Sequence, residues 1–184
     1  DLLRRSPTLY RGLLAASELT NRTITHCRLG LLQPLDSDYT YFFHSPSCDA
    51  RNPAIEQIGW FGLTTLIGMV RVFTGPKWHP TEIGVMTDRS PGLYIREQLW
   101  ATRIRLSQPY SYLALENRLL SFPPLTPDAA MPVSASPPYE PQSQQFAGSL
   151  RQVLRSYIQE NDLSIEFAAG LCDTSKRSLQ RKLK

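Results

Sequence analysis

Apolar positions along this chain fall into two rhythms that divide it into helices and strands. From Leu2 to Leu19 they stand at Leu2, Leu3, Leu9, Tyr10, Leu13, Leu14 and Ala16, the spacing of one helix face. Ser6-Pro7 offers an N-cap and a proline for the first helical position, which predicts a helix over residues 7–19 closed by Asn21-Arg22. Thr23 to Gln33 and Tyr39 to His44 are rich in β-branched, leucine and aromatic residues, and Pro34-Leu35-Asp36-Ser37 between them is turn chemistry, so a hairpin is expected. If Gln33 faces Asp38 in that hairpin, Cys27 lies across from His44.

Asn52-Pro53 opens the strongest helical pattern, and Gly75-Pro76 closes it. Ile55, Ile58, Gly62, Leu66, Met69 and Phe73 form one stripe, while Trp60, Leu63, Ile67 and Val70 cover much of the rest. A helix apolar on nearly every side belongs in a core or at an interface. The core is the commoner place, and Gly59, Gly62 and Gly68 leave room for a second backbone to come close. A short strand over Thr81 to Thr87, a helix over residues 91–100 capped by Ser90-Pro91, and strands over Arg103 to Ser107 and Tyr112 to Leu115 follow. Residues 1–122 therefore read as an α+β domain, with helices against a mostly antiparallel sheet. Residues 123–145 carry seven of the fifteen prolines with much serine and glutamine, the composition of a linker. A helix is predicted next, with Phe146, Leu150, Val153, Leu154, Tyr157 and Ile158 on one face, so residues 146–184 read as an all-α segment.

Charge separates these parts. The formal net charge is +4; from Phe146 onward seven Lys/Arg stand against four Asp/Glu, a net of +3, so the basic character lies at the end of the chain. With 41% hydrophobic and 20% charged residues in 184, the composition is that of a soluble globular protein. The most apolar run, Ile58 to Val70, is thirteen residues, short of the ~20 needed to span a bilayer. No secretory signal is present, so a cytoplasmic protein with no membrane partner is expected. The chain starts at Asp1 already in a helical pattern, as a piece cut from a longer protein would.

The last stretch, LSIEFAAGLCDTSKRSLQRKLK, holds two short amphipathic patterns around a tight polar turn, and five of its final eleven residues are basic with none acidic. A helix-turn-helix needs a support helix, a tight turn and a recognition helix with one face free for the major groove. Ser164 is a candidate N-cap, and Glu166 complements the dipole of the first turn. Ile165, Ala168, Ala169 and Leu171 form the inner side, small enough at the alanines for close helix packing. Cys172-Asp173-Thr174 makes the turn, Thr174 or Ser175 caps the second helix, and Leu179 and Leu183 face inward. The outward set, Lys176, Arg177, Gln180, Arg181 and Lys184, is the candidate DNA-binding face. Arginine can grip guanine and glutamine adenine, while lysines suit phosphates. A solvated basic face explains the charges, but not also the alanine pair, the turn and the second cap.

SIEFAAGLCDTSKRSLQRKLK resembles the first helix-turn-helix of the arabinose-operon regulator (AraC/XylS) family, whose usual form is close to S-I-E-x-A-A-x-x-x-G-M-S-x-R-T-L-Q-R-x-L. Ser164, Ile165, Glu166, Ala168, Ala169, Ser175, Arg177, Leu179, Gln180, Arg181 and Leu183 match. Asp173 replaces the usual turn glycine and Thr174 the usual methionine. Residues 75–130, from GPKWHPTEIGV to RIRLSQPYSYLALENRLLSFPPLTPDAA, are similar to the end of the effector domain in the ornithine-utilisation-regulator-like, "arabinose-binding" subgroup. The resemblance implies a bacterial transcription factor, acting at the nucleoid as a homodimer, whose effector/dimerisation domain binds a small molecule and whose helix-turn-helix binds operator DNA. It also implies a chain cut at both ends, with a second helix-turn-helix unit missing and specific DNA binding by this piece alone weak or absent.

Other chemistries are thinly supplied. Cys27 and His44, with His26 and Cys48 near, are the donors a metal sensor would use, but a Cys–His pair in a hairpin is ordinarily packing. Three cysteines with no CxxC spacing read as thiols in a reducing compartment. The motifs GxSxG, HExxH, GxGxxG and the P-loop are absent, Asp36 and Asp38 are turn residues, and His79 between Trp78 and Pro80 reads as structural. Neither an enzyme nor a metal or other cofactor is therefore expected; an enzyme domain with a DNA-binding tail, and a sensor or dimerisation module without specific DNA binding, are the alternatives. The aromatics Tyr39, Tyr41, Phe43 and Trp60, with Phe42, are either core or the wall of an effector pocket, and aromatics on a strand and a buried helix are more often core.

Overall fold

The computed structural model describes residues 2–34, 37–46, 54–126, 164–172 and 174–183, with Ala147, Leu150, Arg151 and Leu154. Helix α1 (Leu9–Thr23) buries Leu9, Leu13 and Ala16. It starts later than Ser6-Pro7 suggests, because the Ser6 hydroxyl donates to the Leu2 carbonyl at 2.9 Å; Thr8 caps the helix, its Oγ1 accepting from the Arg11 N–H at 3.4 Å. Asn21 does not end it. Its side chain reaches strand β1, accepting from the Leu29 N–H at 2.9 Å and donating to the Leu29 carbonyl at 2.8 Å.

A five-stranded sheet forms from β1 (Cys27–Leu32), β2 (Tyr39–Pro46), β3 (Glu82–Gly84), β4 (Arg103–Arg105) and β5 (Ser111–Glu116), in the order β1-β2-β5-β3-β4. Only β3 and β4 run parallel, with helix α3 (Leu93–Gln98) in the crossover between them. Gly92 stands at the N-cap of α3 in place of Ser90-Pro91, and that helix buries none of its residues. The register of the hairpin differs from expectation by two residues: Cys27 pairs with Pro46, and His44 faces Leu29.

Alternation along the strands sends two sets of side chains to opposite faces. Leu29, Leu31, Phe42, Ile83, Leu113 and Leu115 meet α1 and helix α2 (Ile55–Thr74) in the larger of two buried clusters. α2 is buried along one side only, through Leu63, Leu66, Ile67, Val70 and Phe73, whereas Phe61 is 75% exposed. The glycines of α2 admit side chains, not a backbone. A Cβ on Gly62 would sit 2.5 Å from His44 Nδ1, one on Gly59 would sit 3.3 Å from Ser111 Oγ, and Gly68 faces open space. Gly75, at φ 94°, turns the chain out of the helix with a backbone that other residues rarely adopt. A 3-10 turn over Asn117–Ser121 buries Leu119 and Leu120, and the Phe122 carbonyl accepts from the Leu9 N–H at 2.8 Å. The expected linker begins inside this domain: Pro124 is buried, and the Leu125 N–H donates to the Val72 carbonyl at 3.1 Å. Residues 127–146 lie outside the described residues. Among the described residues no helix is long and apolar enough to cross a membrane.

Candidate nucleic-acid interface

Two short helices end the chain, α4 (Ile165–Leu171) and α5 (Lys176–Leu183). Each start is capped by a serine. Ser164 is extended, and its Oγ accepts from the Phe167 N–H at 3.1 Å; Ser175 Oγ accepts from the Ser178 N–H at 3.2 Å. The turn closes on one carbonyl, that of Ala169, which accepts from Cys172 N–H at 3.2 Å and Thr174 N–H at 3.0 Å. Asp173 lies outside the described residues, so the position where a turn glycine is usual is not part of this description.

Inside the pair, Ala168, Ala169, Leu171 and Cys172 are buried and Leu179 is fully so. Leu183 is not the second inward anchor expected from its i+4 spacing: at 48% exposed it stands in the last turn of α5, on the rim of an open groove. Burial raises the Cys172 thiol to about 12, which leaves it an inert packing group.

The outer side of α5 carries the candidate contacts. Arg177, Gln180 and Arg181 are exposed and, with Ile165, Ser178 and Leu183, line that groove of about 750 Å³. Their i, i+3, i+4 spacing puts them on one side of a helix of eight residues, about 12 Å long at 1.5 Å per residue and comparable to the width of a major groove. Lys176 also faces solvent, but its ammonium is paired with Glu166 on α4, and that hydrogen bond holds the Glu166 carboxyl below its ordinary range. Lys184 lies outside the described residues.

A second buried cluster, not foreseen from the sequence, places these helices. Leu150, Ala168, Ala169, Leu171, Cys172 and Leu179 pack with Leu32, Phe43, Tyr110 and Tyr112 on the sheet face that α1 and α2 leave uncovered. The Tyr110 hydroxyl, in a ring only 1% exposed, donates to the Leu171 carbonyl at 2.7 Å. Leu171 is the last residue of α4, so this carbonyl is one of those a helix end leaves without an intrahelical donor. The signal was in the sequence: Tyr110 just before β5, and Tyr112 and Ala114 within it, alternate with Leu113 and Leu115, so both faces of β5 are apolar and both need cover.

The four aromatics proposed for an effector do not converge. Tyr41 and Phe43 face the side of α4 and α5, with Tyr39 at the start of the same strand face; Trp60 lies across the sheet on α2 beside the first cluster. What forms on the second face is an aromatic row. Tyr41 stacks on Tyr112 with centroids 4.3 Å apart, Tyr112 meets Tyr110 edge-on at 5.9 Å, and Tyr110 meets Phe43 at 5.4 Å. Tyr39 and Tyr41 also line a pocket of about 290 Å³ with Thr81, Glu82, Arg103 and Ala114. Tyr112 Oη donates to Glu82 Oε1 at 2.8 Å, and burial, with that bond, raises the phenol above its ordinary value.

The donors considered for a metal do not assemble. His26 is exposed, Cys27 lies across from Pro46, and burial pushes its thiol up to about 11. His44 points beneath Gly62, and Cys48 is outside the described residues. Among the described residues no three His, Cys, Asp or Glu side chains gather as a metal site.

No family model matches the chain, and no curated protein does. Among solved structures, the chain is similar to the crystal structure of the transcriptional regulator CdpR from Pseudomonas aeruginosa, with 14% sequence identity and a TM-score of 0.55. The likeness takes in 99% of this chain and 60% of that one, so the chain spans less than two thirds of its neighbour's length, and what it establishes is a shared fold.

Proposed function

We propose that the chain belongs to a sequence-specific transcriptional regulator of the arabinose-operon regulator type, in which α5 is the recognition helix. One observation carries the reading: α5 is held from behind by Leu179 in the second cluster while Arg177, Gln180 and Arg181 stay exposed along one side. That is the division of labour a recognition helix needs, with an anchored apolar side and a polar side free for base edges. Caps on both helices and a fold shared with a transcriptional regulator support it. In this reading Lys176 and Lys184 serve phosphates, the protein acts as a cytoplasmic, nucleoid-bound homodimer, and the domain built on the sheet answers to a small-molecule effector.

The test is selection of binding sites from random duplex DNA by the full-length protein, followed by titration of the best site against salt. Arg181→Ala is expected to lower affinity by about 1–3 kcal/mol and to relax preference at one base position. Equal binding of all sequences by both proteins removes α5 from the role of reader.

A further inference from the structure

The pocket beside the aromatic row has a chemistry of its own. It crosses the second face of the sheet where β2, β5, β3 and β4 lie side by side. Ala114 makes a low floor on β5, Tyr39 and Tyr41 of β2 form one wall, and Thr81, Glu82 and Arg103 form the other. At about 290 Å³ it lies near the lower limit of the roughly 300–1,000 Å³ typical of small-molecule sites.

The charges decide what fits. Glu82 accepts from Tyr112 and has two guanidinium groups nearby, Arg103 Nε at 3.8 Å and Arg105 Nη1 at 3.7 Å. Glu116, which faces Tyr39 across the ladder, is engaged by Arg118. The two guanidiniums share the one Glu82 carboxylate. Arg103 is the lining member of the pair. Its side chain is 77% exposed and stands beyond hydrogen-bond length from Glu82, so its fork can turn onto an incoming anion.

We propose that this pocket binds a small organic monocarboxylate, its apolar or aromatic body against Tyr39 and Tyr41 and its carboxylate on Arg103. As the effector of this protein it rests on the regulator reading above; as a binding site it does not. Tyr41 is common to both structures on this face, lining the pocket and packing beside the cluster that seats α4 and α5.

Three probes of equal bulk separate the possibilities: phenylacetate, phenethylamine and phenethyl alcohol, each titrated into the 184-residue protein by calorimetry and by ligand-observed NMR. Phenylacetate is expected to bind saturably, with the amine and the alcohol at least about tenfold weaker. Arg103→Gln, a change at an exposed side chain, is expected to weaken phenylacetate by about ten- to a hundredfold with the melting temperature unchanged. Glu82→Gln, which removes the competing carboxylate, is expected not to weaken it. Binding of the amine in preference to the acid, phenylacetate affinity untouched by Arg103→Gln, or no saturable phenylacetate binding up to about 10 mM overturns the proposal. DNA selection by the full-length protein keeps the two readings apart: acid binding without DNA recognition leaves the pocket and removes the regulator, and the reverse removes the pocket alone.

Discussion

Replacing Tyr110 by phenylalanine takes away one oxygen and leaves the ring where it packs, between Phe43 and Tyr112. The lost hydroxyl is the donor to the Leu171 carbonyl at 2.7 Å, in a buried site at the end of α4. That carbonyl is past the reach of the helix's own N–H groups, and the surrounding cluster of Leu32, Leu150, Leu179 and Cys172 offers no polar replacement. A buried acceptor left without its donor costs about 1–3 kcal/mol. With a urea dependence of roughly 1–3 kcal/mol per molar, the midpoint of unfolding should fall by about 0.3–3 M. Amide hydrogen exchange locates the effect: residues of α4 and α5 should exchange faster in Tyr110→Phe, while α2, on the other face of the sheet, changes only as far as global stability does. If both the midpoint and the exchange of α4 are unchanged, α4 and α5 are not seated on the sheet through Tyr110, and the second cluster does not hold them.

Two further perturbations probe the opposite face. Gly62→Ala puts a Cβ 2.5 Å from His44 Nδ1 and 2.8 Å from Cε1, so the imidazole must shift, and calorimetric melting should show a loss of about 1–3 kcal/mol. Gly68→Ala, on the open side of the same helix, should instead add up to about 1 kcal/mol through helix propensity alone. Burial lowers the folded-state pKa of His44 from its ordinary 6.5, so between that lowered value and 6.5 the unfolded chain binds the proton that the folded chain refuses. The stability this contributes is whole above 6.5 and is lost as pH falls below it; urea midpoints should therefore drop from about pH 7 to pH 5 in the native protein and drop less in His44→Gln.

Where local chemistry decides a feature, the residues reveal it; where tertiary contacts decide, they do not. The caps at Ser164 and Ser175 and the break at Gly75 follow from short-range rules, whereas the buried side of α2, through Leu63, Ile67 and Val70 rather than Ile55, Ile58 and Met69, does not. The start of α1 does not, because the Ser6 hydroxyl has a competing acceptor in Leu2 one turn earlier. The hairpin register was open for a physical reason. A slip of two residues returns every side chain to the same face, so the hydrophobic pattern cannot tell Cys27 opposite His44 from Cys27 opposite Pro46. Trp60 was grouped with Tyr41 on aromatic character alone, and nothing in the sequence states which side of the sheet α2 covers. Leu183 has the spacing of an inward residue, but spacing names a face and not whether anything lies opposite it.

Strand β5 connects the two sides of this molecule. Leu113 and Leu115 anchor the face under α1 and α2; Tyr112 and Ala114, with Tyr110 one residue before the strand, serve the other face at successive steps. Tyr110 holds the end of α4, Tyr112 stacks on Tyr41 and binds Glu82, and Ala114 leaves the floor of the pocket low. This strand and the residue before it therefore carry the seat of α4 and α5 and the floor of the proposed effector site within five residues. Arg177 and Arg181, two residues either side of Leu179, are turned away from this strand, because Leu179 is turned toward it. A helix seated in that way can meet a duplex while it stays on the sheet, so the proposed DNA contacts require no prior release of α4 and α5. Any control by a pocket ligand must then act through its different affinity for the seated and unseated arrangements, each tenfold difference being worth about 1.4 kcal/mol. Tyr41 and Tyr112 are the side chains placed to sense that difference, since Tyr41 lines the pocket and stacks on Tyr112, which binds the lining residue Glu82 and meets Tyr110 edge-on.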